Sequence, residues 1–221
     1  MIIINPMWII FVQRFGFTLI VSFVSLLPPV EKGSMADLVL RYFNFSPGVS
    51  PSTKKFLERM KIKIYTVGGT IDKVYFDRKS KFEVGEPRVG EILQEANVNF
   101  EYEISSVLHK DSLNMTDQDR QLIFDTIASD KHFYIVITHG TDTMIRTAQK
   151  LKTIPGKVIV LTGAMVPARF KSSDASFNIG CAVAAVQTLA PGVYIAMNGR
   201  IFDSNRVRKN PEKNWFEIVE D

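Results

Sequence analysis

From Met60 onward the apolar positions follow two alternating rhythms. Short blocks rich in β-branched and aromatic residues, IKIYTV, YEISSVL, FYIVITHG, KVIVLTGA and GVYIAM, have the length and composition of strands. Between them, PRVGEILQEAN, TDQDRQLIFDTIASD, TDTMIRTAQKLKT and SFNIGCAVAAVQTLA read as helices. Two of these open with capping signals: Thr116 stands three residues before Asp119, and Thr141 three before Met144 with Asp142 in the first turn. Strand and helix in alternation imply right-handed crossovers. The predicted fold is therefore α/β with three layers, a mostly parallel sheet covered by helices on both faces. Sheets of this kind bind ligands at the carboxyl ends of their strands.

The first 59 residues break this rhythm. Two apolar blocks, MIIINPMWIIFV and FGFTLIVSFVSLL, are separated by Gln13-Arg14 and stopped by Pro28-Pro29. Neither reaches the roughly 18 uninterrupted apolar residues of a membrane span, and no A-x-A-like cleavage site follows the second. Met35–Arg59 has no sustained period, and Met60 stands directly before the first clear strand. The expected division is an extension over 1–59, from a start assigned too far upstream, and a catalytic domain over 60–221. A membrane anchor or export signal within residues 1–34 and an extra structural element are the alternatives. The first reading places the protein in the cytoplasm.

Charge and composition narrow the function. The net charge is +4, but residues 1–59 hold six Lys/Arg against three Asp/Glu and the rest of the chain 21 against 20. A nearly neutral body argues against a nucleic-acid partner. Cys181 is the only cysteine and lies in the small-residue run FNIGCAVAAV, which points to packing. His109, His132 and His139 form no HxxH or HExxH pattern, so neither a metal nor another cofactor is expected.

The predicted strand ends carry the candidate chemistry. Gly68-Gly69-Thr70 follows the first, Asp111-Ser112 the second, His139-Gly140-Thr141-Asp142-Thr143 the third, and Thr162-Gly163-Ala164-Met165 the fourth. Hydroxyls and a carboxylate converge on one crevice, which suits a small polar ligand. A dinucleotide fingerprint needs G-x-G-x-x-G opening a helix, whereas GGT here leads into IDKVYFDRKSKFEVGEP, a polar and aromatic stretch better suited to a lid. No Walker loop is present. Taken separately, VGGT is a tight turn and HGTDT a helix cap. Taken together they fit a threonine nucleophile, since a hydroxyl needs a base and a donor array to attack an amide. Gly-Gly would let a substrate carbonyl approach closely.

With VGGTI and ITHGTDTM followed by VLTGAM and FNIGCAVAA, Met60–Asp221 resembles the amino-terminal domain of the bacterial-type, threonine-dependent L-asparaginases. The resemblance implies a flavodoxin-like fold and hydrolysis of L-asparagine to L-aspartate and ammonia. It implies that Thr70 is the nucleophile, that Ser112 binds the substrate carboxylate, and that Asp142 binds the substrate amino group. Thr141 supplies a second hydroxyl deprotonated by Lys209 of NRVRKN, and Gly69, Gly140 and Ala164 line the substrate site. Lys209 must shed its proton to act as a base, which burial or the neighbouring Arg206 and Arg208 would favour.

Two departures from the family pattern accompany these matches. The family's lid carries a tyrosine where this sequence has Phe82, and Tyr75 in the same stretch is the phenol available to replace it. The chain stops soon after Lys209, without the family's second domain. The pocket is then expected to be completed differently, with a homo-oligomer as one means, or to serve a different amide or only weak activity. Besides an amidohydrolase, the residues therefore fit a binding module that recognises asparagine or aspartate without turnover. A component of a tRNA-dependent amidotransferase, which shares the motifs, fits the neutral body less well.

Overall fold

The computed structural model describes residues 2–5, 8–15, 18–24, 61–76 and 81–219. Two compact units are distinguished, Met1–Ser50 and Pro51–Asp221. In the first, β1 (Ile2–Asn5), β2 (Trp8–Phe15) and β3 (Thr18–Val24) form an antiparallel sheet in chain order. The rest of residues 1–59, on which the extension reading also depends, lies outside the described residues. Among the described residues no helix is long and apolar enough to cross a membrane.

The second unit follows the alternation of the sequence. Its central sheet contains β4 (Ile62–Thr66), β7 (Tyr102–Ser106), β8 (Tyr134–Thr138), β9 (Val158–Thr162), β10 (Gly192–Met197) and β11 (Arg200–Asp203), in the order β11-β10-β9-β8-β4-β7. All pairings are parallel except β10 with the edge strand β11. Counted in chain order, the parallel strands run 2-1-3-4-5, the flavodoxin-like arrangement. The order reverses between β4 and β8. Ligands of such sheets bind in the crevice at that switch point, and VGGT and HGTDT are the segments that leave these two strands.

Alternation along the strands sorts side chains to the two faces. Ile62 and Ile64 pack in one cluster with Val89, Ile92 and Leu93 of α1 (Val89–Glu95) and Ile179 and Val183 of α4 (Ala175–Thr188). Tyr65 and Val67 pack in the other with Ile123 and Ile127 of α2 (Asp117–Ser129) and Met144 and Leu151 of α3 (Met144–Leu151). Helices therefore cover both faces. Thr116 caps α2 in a full capping box with Asp119, as its spacing predicts.

Two local expectations change, and a ribbon follows the last parallel strand. The stretch after Thr70 contains an antiparallel ribbon, β5 (Lys73–Phe76) paired with β6 (Lys81–Val84), in which Tyr75 stands opposite Phe82. Its β-branched and aromatic content explains the strands. Helix α3 begins after Thr143, two residues later than a Thr141 cap would place it. Beyond the fifth parallel strand, Asn198-Gly199, both at positive φ, turn β10 into β11, and a further ribbon forms from β12 (Val207–Asn210) and β13 (Trp215–Ile218).

Candidate active site

Three strand-end loops meet backbone to backbone. Gly68 and Gly69 have φ of 92 and 107, a region that disfavours any side chain. A Cβ on Gly69 would lie 2.4 Å from the Cα and N of Gly140, and one on Gly68 would lie 2.6 Å from the Lys110 carbonyl oxygen. A Cβ on Gly140 would in turn sit 2.6 Å from the Ser112 hydroxyl. The glycines thus admit neighbouring main chain, that of Lys110 and Gly140, where a Cβ would stand. Their function is to bring Thr70, Ser112 and Thr141 to one place.

This contact makes a measurable demand. Gly69→Ala combines backbone strain with overpacking against main chain that cannot swing away, a cost of roughly 2–5 kcal/mol. The expected melting temperature falls by about 5–15 °C for a domain of this size, which thermal unfolding followed by circular dichroism will read.

Thr70 opens a 3-10 turn, Thr70–Asp72, and is half-buried. Among the described residues none hydrogen-bonds its hydroxyl. Ser112 opens a second 3-10 turn, Ser112–Asn114, capped by the Asp111 carboxylate, which accepts from the Leu113 N–H. The Ser112 Oγ is buried without a partner among the described residues, while its carbonyl accepts from the Thr143 hydroxyl at 2.8 Å. That bond is why Thr143 makes no side-chain cap for α3. Lys73 pairs with Asp111 at 2.6 Å, linking the Thr70 loop to the Ser112 loop.

The distant lysine reaches the same place. Lys209 donates to the Thr141 hydroxyl at 2.9 Å and to Asp142 Oδ1 at 2.6 Å. Val207 and Phe216, both buried in the core cluster, anchor its ribbon, and Phe216 is the cross-strand partner of Lys209. Asn198 accepts from the Phe216 N–H and ties the ribbon to the β10–β11 turn. The Lys209 side chain is 18% exposed and that of Asp142 41%. Lys209 therefore faces a carboxylate, and the cation expected beside it, Arg208, instead pairs with Glu217 at 2.7 Å. Ala164, expected to line the substrate site, is fully buried in the core, main chain included.

Two buried groups beside these loops have shifted titrations. Burial, with Arg120 nearby, pushes His139 from 6.5 down to about 4, against a raising contribution from its bond to Gly140. The neutral ring donates from Nδ1 to the Gly140 carbonyl and accepts at Nε2 from the Thr147 hydroxyl, each at 2.8 Å, which fixes the HGTDT turn. Asp72 is pushed up from 3.8 to about 6 by burial, which outweighs its bond from Arg88 and the charges of His109 and Arg88.

The two shifts act oppositely on stability. A depressed histidine makes the unfolded chain bind more protons below 6.5, so stability rises with pH from about 4 to 6.5. A raised aspartate makes the folded chain bind more protons, so its contribution is full below 3.8 and is lost as pH rises through about 6. At about 1.4 kcal/mol per pH unit, the Asp72 loss by neutral pH is about 3 kcal/mol. We expect Asp72→Asn to unfold at higher denaturant than the parent at pH 7.5, with the difference closing by pH 4.

Comparison with known proteins covers the segment that carries these residues. The family model described as "Asparaginase, N-terminal" matches residues 61–216. The L-asparaginase of Thermococcus kodakarensis is 33% identical over 162 residues, covering 68% of this chain and 48% of that protein. Its solved structure, a thermostable L-asparaginase, superposes with a TM-score of 0.63 at 30% identity, over 72% of this chain and 51% of that one. The L-asparaginase 2 of Escherichia coli is 34% identical over 164 residues, 67% of this chain and 46% of that protein. The chain spans about half the length of the asparaginases it matches. Asp72 stands out only in the structure; in the sequence it is one acid among the polar residues that follow Thr70, with no spacing to distinguish it.

Proposed function

Because this chain belongs to the asparaginase family, we propose that it hydrolyses the side-chain amide of L-asparagine to L-aspartate and ammonia through an acyl-enzyme on Thr70. The observation that carries the proposal is the convergence of Lys209, Thr141 and Asp142 on the loop that touches the Thr70 turn. In this reading the unpartnered Ser112 hydroxyl takes the substrate carboxylate, and the half-exposed Asp142 takes the ammonium group. Gly69 and Gly140 line the site.

Thr70 Oγ attacks the amide carbon, the C–N bond breaks, and the nitrogen leaves as ammonia with the threonine proton. Water then attacks the ester, losing its proton through Thr141 to Lys209, and the Thr70 oxygen leaves with a proton to give aspartate. The substrate's ammonium competes with Lys209 for Asp142. Substrate is thus a small molecule, with no nucleic acid involved, and a homo-oligomer completes the pocket.

The Lys209–Asp142 pair also favours a second reading, because a lysine held by a carboxylate suits retention of aspartate more than turnover. Ammonia release from L-asparagine and calorimetry with aspartate separate the two. Steady ammonia release supports the hydrolase; micromolar aspartate binding without it supports a binding module.

The catalytic domain begins at Met60 in this proposal, in keeping with a family match that starts at residue 61, and works in the cytoplasm. Intact mass of the protein from its native source is expected to correspond to a chain starting near Met60. A mass that retains residues 1–34 supports an anchor or extra element instead.

A further inference from the structure

Asp72 lies at the end of the 3-10 turn that Thr70 opens, and the residue is 1% exposed. Its main-chain N–H closes that turn, and its carbonyl and one carboxylate oxygen hold the turn to another segment. The Asp72 N–H donates to the Gly69 carbonyl at 3.2 Å, closing the turn. Its carbonyl accepts from the Gly85 N–H at 2.8 Å, and its Oδ1 accepts from the Arg88 N–H at 2.9 Å. The neighbouring Ile71 carbonyl accepts from the Ala168 N–H at 3.1 Å. Gly85 and Arg88 bracket the way into α1, and Arg88 pairs onward with Glu91 of that helix.

A buried acid kept only for stability would have both oxygens satisfied. Here Asp72 Oδ2 and Arg88 Nε are buried without partners among the described residues, and burial raises the acid's titration toward neutrality. The arrangement costs stability at neutral pH, and its bonds hold the turn that Thr70 opens. Costly buried acids cluster at functional sites.

We propose that Asp72 is a positioning residue that fixes the Thr70 turn against the Gly85–Arg88 segment and so sets the direction of the nucleophile's attack. It touches no substrate. What it supplies is the acceptor for the Arg88 N–H, which asparagine can replace and alanine cannot. The kinetic part of this inference rests on the hydrolase reading; the structural part does not.

The test compares Asp72→Ala with Asp72→Asn in the full chain. A nucleophile displaced by even about 1 Å can lose about 100-fold in rate, so Asp72→Ala should lower kcat by about 10- to 100-fold. Aspartate, held by Ser112 and Asp142, should bind within about threefold of the parent, and Asp72→Asn should recover most of the lost kcat. Hydrogen exchange should show the Gly85 and Arg88 amides at least tenfold less protected in Asp72→Ala and protected again in Asp72→Asn. A folded Asp72→Ala with parental kcat overturns the proposal, as does an Asp72→Asn variant as impaired as alanine. If Asp72→Ala does not fold, the parent and Asp72→Asn decide: matching protection at both amides supports the clasp, and loss in Asp72→Asn overturns it. A parent that releases no ammonia refutes the hydrolase reading instead, while the exchange comparison still reports on the clasp.

Discussion

Thr70→Ala is expected to abolish nearly all ammonia release from L-asparagine while leaving the fold intact. The methyl group that remains cannot form an ester, so both halves of the reaction lose their covalent intermediate. Removing a nucleophile that acts with its partners as a unit costs on the order of 10³- to 10⁶-fold, equivalent to about 4–8 kcal/mol of transition-state stabilisation. Stability should change little, because the residue is half-exposed and its hydroxyl has no partner among the described residues. Aspartate should bind nearly as before through Ser112 and Asp142. The decisive comparison is kcat against aspartate affinity in the same preparation. Activity that survives the substitution would remove Thr70 from the chemistry, whatever the motif around it suggests.

Lys209→Met should be the second most damaging change, by a different route. Methionine preserves much of the stem and its packing beside Phe216 but provides no nitrogen for Thr141 or Asp142. Loss of a general base costs about 10²- to 10⁴-fold, and it falls mainly on deacylation if the proton of the attacking water leaves through Thr141. Pre-steady-state measurement should then show one rapid equivalent of ammonia per site followed by a slow steady state. The Lys209–Asp142 pair is partly exposed, so its loss should cost less than about 1 kcal/mol of stability. Aspartate affinity should hold or improve, since Asp142 no longer shares its carboxylate. Equal loss of aspartate binding and of activity would instead assign Lys209 to ligand retention.

The parts of the fold that were legible share one physical origin. Blocks such as KVIVLTGA are buried on both faces, so hydrophobicity and β-branching alone identify them, and the Thr116–Asp119 spacing marks a helix start through local hydrogen bonds. Features decided by partners distant in sequence were less accessible. Thr141 reads as the cap of α3, but the Thr143 hydroxyl is drawn to the Ser112 carbonyl and Thr141 to Lys209, so the helix begins later. The glycines of VGGT signal an unusual turn, yet only the structure reveals that Gly140 and Lys110 occupy the space they leave. The turn at Asn198-Gly199 and the strand β11 that follows it come from the structure, and the ribbon that delivers Lys209 depends on Phe216 docking into the core. Asp72 carries no local signature at all. Its burial is set by the segments folded over it.

The central claim is that Thr70 carries the acyl group, and it can be observed directly. Lys209→Met, mixed with L-asparagine and quenched in acid within the burst, should yield a Thr70-containing peptide heavier by one aspartyl residue, and Thr70→Ala combined with Lys209→Met should not. An unmodified Thr70 peptide during a burst of ammonia, or the aspartyl group on Thr141, would contradict the mechanism.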